Sequence, residues 1–382
     1  MRKRRIISYL LWTVCVICTF PSFAQAQNRD GVPVITPETK ISQLLVSHKT
    51  LAEKQYLAFP ALVSLPDSEV LITFKRGMAH GNDRQADCDI IRFNTAHNRV
   101  SDHQTIGSIP DRKYQLTVPL LTADGHLHFF TDLQHTGPDN KHYREGMLHA
   151  VSEDQGKSEM QWEKVSLVDG VEYGYPFDFI VEGKTVYMLA MSFGYRPGGR
   201  WSVAVLKSDD NAKSWTFVKN ITEALGNIAI NESAFVRTED GFAVVVRGYH
   251  DQPTQIATFD HAFNLRRVKD LTGTGVLDGL IGWPRIFLKD GKLYVLGRVR
   301  TPGSPFMQLG LVRVGVENLA IEQVTLVDNE SGTLPVKDGY YAGIYWTEEE
   351  GTTWLNTVTY RSVGDAGYPD IMRFSFPWNE VN

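Results

Sequence analysis

Six times along the chain a short apolar run leads through an acidic-plus-small turn into a second apolar run. Residues 59–63 pass through Pro66-Asp67 to 70–74, and 118–121 pass through Asp124-Gly125 to 126–130. Residues 175–177 pass through Glu182-Gly183 to 185–190, and 232–236 through Asp240-Gly241 to 242–246. Residues 283–287 pass through Asp290-Gly291 to 292–296, and 341–344 through Glu350-Gly351 to 352–358. Asp-Gly between apolar runs predicts a hairpin, because both residues tolerate the positive φ of a tight turn. The starts recur roughly every 50–60 residues, a propeller-blade period. No long stretch carries a 3.6-residue period, so little helix is expected. The pattern predicts an all-β, six-bladed β-propeller, with a large β-sandwich as the competing architecture.

The first residues change the picture in one respect. Arg2, Lys3, Arg4 and Arg5 precede an apolar run from Ile6 to Phe20, followed by Ala24-Gln25-Ala26. That order predicts a secretory signal peptide over residues 1–26 and a single domain over 27–382. The apolar run is shorter than the about 20 residues of a membrane span. A periplasmic or extracellular monomer, with no membrane insertion after cleavage, is expected. Cys15 and Cys18 fall in the leader, so Cys88 alone remains and no internal disulfide is expected. The formal charge is −5, and loss of the four basic leader residues makes it more negative. Such a balance, without a basic run, argues against nucleic acid as a partner. No Cys/His spacing suggests a metal, and no cofactor is expected.

In a hairpin, the start of the first strand and the end of the second lie at one end of the sheet. Six hairpins in a ring bring these positions to one mouth. Strand starts supply Tyr175, Glu232, Trp283, Arg285 and Tyr341. Strand ends and following loops supply Arg76, His80, Asp83, Asp132, His135, Tyr195, Arg196, Arg247, His250, Arg298 and Arg300. Cations, aromatics and a glutamate at one mouth suit a small anionic or hydroxyl-rich ligand such as a glycan.

Ser208-Asp209-Asp210-Asn211-Ala212-Lys213-Ser214-Trp215 resembles the Asp-box (BNR) repeat, and Ser152-Glu153-Asp154-Gln155-Gly156 begins a second, completed by Trp162. Asn231-Glu232-Ser233-Ala234-Phe235-Val236, with Asp240-Gly241 and Arg247, is similar to the Glu-to-Arg segment of sialidases. Residues 338–343, Asp-Gly-Tyr-Tyr-Ala-Gly, resemble the late sialidase segment that bears the nucleophilic tyrosine. The resemblance covers most of the chain and implies a sialidase-like propeller releasing a terminal, acidic sugar with retention. It implies Tyr341 as nucleophile, with Tyr340 as the alternative, and Glu232 as the base that takes its proton. It also implies Arg247, Arg298 or Arg300, and Arg76 as carboxylate anchors.

Two positions depart from the sialidase pattern. Ala58-Phe59-Pro60 stands where sialidases carry Arg-Ile-Pro, so the first-blade arginine is missing, with Arg285 a possible substitute. The acid/base position falls in 76–83, where Asp83 and His80 are both candidates. Two other functions stay open at this level. A polysaccharide lyase would use His80, His135, His250 and Tyr195 near the mouth, and a non-catalytic glycan-binding propeller would use the same surface without turnover.

Overall fold

The computed structural model describes residues 31–192, 202–328, 336–364 and 367–382. The expected leader and the lyase candidate Tyr195, with Arg196, lie outside them. Six sheets, each with four antiparallel strands and one with a fifth strand added in parallel, follow one another around a ring. Their innermost hairpins are Tyr56–Leu65 with Glu69–Gly77, Lys113–Leu121 with Leu127–Thr136, and Gly174–Glu182 with Thr185–Met191. The other three are Ile230–Thr238 with Gly241–Gly248, Gly282–Lys289 with Lys292–Val299, and Val336–Glu349 with Thr352–Val363. These are the six hairpins that the apolar pattern predicts, and they make the architecture a six-bladed β-propeller. Numbered in chain order, the blades are called one to six.

Ring closure comes from the start of the described chain. Ile41–Val46 forms the outer strand of blade six, antiparallel to Asp370–Pro377, and Val34–Ile35 adds to the outer edge of blade five. Among the described residues the α-helical content is one turn, Ile221–Ala224, and no helix is long and apolar enough to cross a membrane.

Apolar runs form these strands because each blade is buried on both faces. In blade four Val244 and Val246 join one inter-blade core, while Ala243 and Val245 join the next. Side chains alternate across a strand, so one continuous run serves two interfaces. The turns use the expected chemistry: φ is positive at Asp290 and Gly291, and again at Glu350 and Gly351. Cys88 is buried and unpaired, and burial pushes its thiol pKa up.

The two box-like turns share one hydrogen-bond pattern. Ser208 Oγ accepts from Ala212 N at 2.9 Å, and Asp210 Oδ1 accepts from Ser208 Oγ at 2.7 Å. Ser152 and Asp154 repeat this with Gly156 at 2.6 and 2.7 Å. Asn211 and Ala212 take φ of 59° and 64°, so Ala212 adopts the left-handed backbone that favours glycine. Trp215 packs 5.7 Å from Phe130, and Trp162 packs 5.2 Å from Tyr114. These turns lie at the outer strands and hold the scaffold together.

Candidate active site

Every blade carries a β-bulge near the beginning of its first strand. In blades one, two, four, five and six, two residues stand opposite one: Phe59-Pro60, Gln115-Leu116, Asn231-Glu232, Trp283-Pro284 and Tyr340-Tyr341. Blade three has successive register shifts around Tyr175 and Phe177. A bulge re-aims the side chains it carries. Phe59, Tyr175, Trp283 and Tyr340 have φ between 37° and 71°, a conformation that non-glycine residues rarely hold. The bulges therefore turn a ring of side chains inward at one mouth.

There they line a cavity of about 280 Å³, at the small end for ligand sites. Phe59, Tyr175, Glu232, Trp283 and Tyr341 come from bulged strands; His80, Arg247 and Arg298 come from strand ends and following loops. Opposite the Asn231-Glu232 bulge stands Arg247. Its Nη1 lies 2.6 Å from Glu232 Oε1. Across the ring, the Tyr341 hydroxyl donates to the same Oε1 at 2.6 Å, and Trp283 N donates to Oε2 at 2.7 Å. Arg298 Nη2 lies 3.5 Å from the Tyr341 hydroxyl, and Arg247 Nη1 lies 3.4 Å from it. Trp283 stacks on the Tyr341 ring at 5.6 Å, and the Arg298 guanidinium lies 4.9 Å from the ring centre. Gly282 makes this possible, since a Cβ there would sit 2.9 Å from Arg298 Nε.

The electrostatics follow from burial and these contacts. Burial would raise the Glu232 pKa, but Arg247, the Tyr341 hydroxyl and Arg298 outweigh it and hold the carboxylate below its usual range. Burial, reinforced by the Glu232 charge, pushes the Tyr341 phenol up. The phenol is thus neutral at rest, beside an ionised acceptor for its proton. His80 is pushed down to about 4, by burial first and then by Lys75 and Arg298. Its Nδ1 lies 2.9 Å from Asp338 Oδ2.

Tyr341 rather than Tyr340 faces the cavity. Tyr340 is fully buried and donates to Asp328 at 2.8 Å. Other sequence candidates lie outside the lining of the cavity. Arg76 lies away from the cavity and pairs with Asp87 and Asp89 at 3.0 and 2.7 Å. Asp83 is buried beneath its own loop, where it accepts from Ala79 N at 2.8 Å and pairs with Lys75 at 2.5 Å. Arg285 follows the Trp283-Pro284 bulge into the central channel, where it pairs with Asp178 at 3.2 Å and does not replace the missing first-blade arginine. Arg300 is exposed outside the cavity, and His135 pairs with Glu145 at 2.5 Å. His250 does not line the cavity either.

Sequence reasoning missed Gln115, Asn231 and Arg144, which line the cavity. Arg144 lies on a third strand, His142–Ser152, so a rule about two-strand hairpins passes over it. It also missed a role for Asp338, although the residue stands in the quoted tyrosine segment. Among the described residues no cluster of His, Cys, Asp and Glu suits a metal ion.

No family model and no curated protein matches the chain. Solved structures do match. A Dyadobacter fermentans protein of unknown function superposes with a TM-score of 0.67 at 14% identity, over 87% of this chain and 97% of that one. A mutant of the NanB sialidase from Streptococcus pneumoniae gives 0.59 at 11% identity, over 86% of this chain and 70% of that one. The fold is that of the sialidase-like six-bladed propellers. A Penicillium chrysogenum α-L-arabinanase, solved with arabinobiose, gives 0.57 at 13% identity, over 90% of this chain and all (100%) of that one. At such identities the likeness speaks for the fold, and this fold is shared by glycosidases of different specificity.

Proposed function

We propose that the protein is a retaining glycoside hydrolase that releases a terminal acidic sugar, with Tyr341 as nucleophile. The observation that carries this reading is the 2.6 Å hydrogen bond from the Tyr341 hydroxyl to Glu232. A phenol, with its usual pKa of about 10, is a weak nucleophile near neutral pH unless a base takes its proton as it attacks. Glu232, kept ionised by Arg247, is that base. A neutral phenol also approaches an anionic sugar without the repulsion that a carboxylate nucleophile meets. Arg247 and Arg298 hold the sugar carboxylate. His80, whose ring lies 6.4 Å from that of Tyr341 at the lining of the same cavity, is the acid/base toward the leaving oxygen. Ala58 stands at the position of the missing first arginine, and its neighbour Phe59 lies 5.5 Å from Tyr341 and 4.9 Å from His80. Two arginines in place of three favour an acidic sugar other than N-acetylneuraminic acid. The leader-like residues 1–26 support an activity outside the cytoplasm.

The test is a panel of aryl glycosides and acidic glycans with wild type and Tyr341→Phe. The expected result is release of a free sugar with retained configuration and a loss of at least about 10²-fold in the variant. One observation favours a second reading, β-elimination from a uronate: His80 is kept neutral and its Nε2 has no hydrogen-bond partner among the described residues. A lyase would release an ultraviolet-absorbing unsaturated product, which hydrolysis does not.

A further inference from the structure

The loop that carries His80 is held from below. Lys75 Nζ donates to Ala79 O and His80 O, both at 2.9 Å, and Lys113 Nζ donates to Gly81 O at 3.1 Å. Gln115 Nε2 also donates to His80 O at 3.3 Å. These contacts fix the backbone and leave the imidazole to be oriented from elsewhere. Its partners are the Tyr56 hydroxyl, 3.3 Å from Nδ1, and Asp338, 2.9 Å from Nδ1. Asp338 comes from blade six, on the strand that bears Tyr341. Tyr56 donates to its Oδ2, Tyr360 donates to Oδ1 at 3.2 Å, and Arg298 Nη1 lies 3.8 Å from Oδ1. With Nδ1 committed to Asp338, the other ring nitrogen remains for the cavity that His80 lines.

We infer that Asp338 is a positioning residue and proton reservoir for His80, so that blade six supplies through an imidazole the acid proton that blade one lacks. This rests on the hydrolase reading above for its consequence in turnover, but not for the coupling between the two side chains. In the first half-reaction the leaving oxygen keeps the electron pair of the glycosidic bond and takes the Nε2 proton. The Asp338 proton moves to Nδ1, while the Tyr341 oxygen bonds to the anomeric carbon and its proton passes to Glu232. In the second half-reaction water attacks the anomeric carbon and gives a proton to Nε2. The Nδ1 proton returns to Asp338, and Tyr341 leaves with the proton from Glu232. No proton is gained or lost over the cycle.

The surroundings set the charge states. Asp338 is pushed up to about 6 by burial, which the Tyr360 hydrogen bond and Gly339 N only partly oppose. His80 faces Lys75, Arg298 and Arg247, which disfavour its cation, and Glu232, which favours it. Below about 6 Asp338 therefore holds a proton that it donates to Nδ1, and neutral His80 carries its own proton on Nε2. Above it the carboxylate accepts from Nδ1–H and the acid form is lost.

Nitrogen-15 NMR of imidazoles in the whole protein tests the coupling without any substrate, with His80→Gln identifying the resonance. The expected result is a switch from the Nε2–H to the Nδ1–H tautomer as pH rises through about 6, absent in Asp338→Asn. An unchanged switch in Asp338→Asn overturns the inference, as does a His80 that holds one tautomer throughout in wild type. Kinetics on 4-nitrophenyl and methyl glycosides of one acidic sugar add the catalytic readout. Asp338→Asn is expected to lose about 10²-fold or more on the methyl glycoside and little on the nitrophenyl one, whose leaving group needs no proton. Equal losses on both overturn the relay. If neither glycoside is cleaved by wild type while the tautomer switch is present, the hydrolase reading fails and the coupling stands.

Discussion

The Tyr341 hydroxyl of blade six donates a 2.6 Å hydrogen bond across the mouth of the ring to Glu232 of blade four. The two side chains are 109 residues apart, and each is delivered by a bulge at the same level of its blade. The bond pairs a weak nucleophile with a proton acceptor, and Arg247 holds that acceptor ionised.

Removing Arg247 should therefore act through Glu232. In Arg247→Gln the carboxylate loses the cation that offsets its burial, and its pKa rises. A base must be ionised, so activity should disappear at a higher pH on the acid side than in wild type. Loss of a charged contact to the sugar should also cost about 2 kcal/mol, roughly 30-fold in kcat/KM. A pH profile of kcat/KM for both proteins checks both effects.

Arg76 gives the opposite expectation. Arg76→Ala leaves Asp87 and Asp89, both nearly fully buried, without one of their partners. Stability should fall by about 3 kcal/mol in urea titrations, while KM stays at the wild-type value.

Phe59 is buried among Tyr341, His80 and Tyr360. Phe59→Ala should destabilise by about 3 kcal/mol and loosen the wall that seats Tyr341. Denaturant titration and kcat on the same preparation measure the two consequences.

A buried pair in blade two makes stability depend on pH. His128 Nδ1 lies 2.9 Å from His149 Nε2, and burial pushes the two down to about 4 and about 3. Both stay neutral in the folded state where the unfolded chain, titrating at about 6.5, binds protons. Their stabilising contribution is complete above about 6.5 and declines as pH falls toward 4. Thermal melts should show Tm falling over that window, and His128→Gln should flatten the fall.

The hairpins were legible in the sequence because Asp-Gly turns and two-faced apolar runs are local signals. The mouth was legible for Glu232, Arg247, Arg298 and Tyr341 because hairpin topology alone sends those positions to one end. What the sequence hid is the phase that each bulge resets. A bulge adds one residue to one strand, so Arg285, two positions after Trp283, drops into the channel. Arg76 and Lys75 are neighbours on a strand and point to opposite faces, so the lysine, and not the arginine, reaches under the His80 loop. The bulges leave a faint trace: Phe59-Pro60, Tyr175-Pro176 and Trp283-Pro284 repeat an aromatic-proline step where a ladder hydrogen bond is already lost. Asp338 had no comparable trace, since its partners Tyr56, His80 and Tyr360 come from distant parts of the chain.

The most direct test of the central claim is covalent. A fluorinated acidic-sugar fluoride forms the glycosyl-enzyme readily and releases it slowly, so the intermediate accumulates for peptide mass spectrometry. The account predicts one sugar-sized mass addition on the peptide containing Tyr341, absent in Tyr341→Phe. An addition on Glu232 or His80, or turnover with no adduct in wild type, would contradict it.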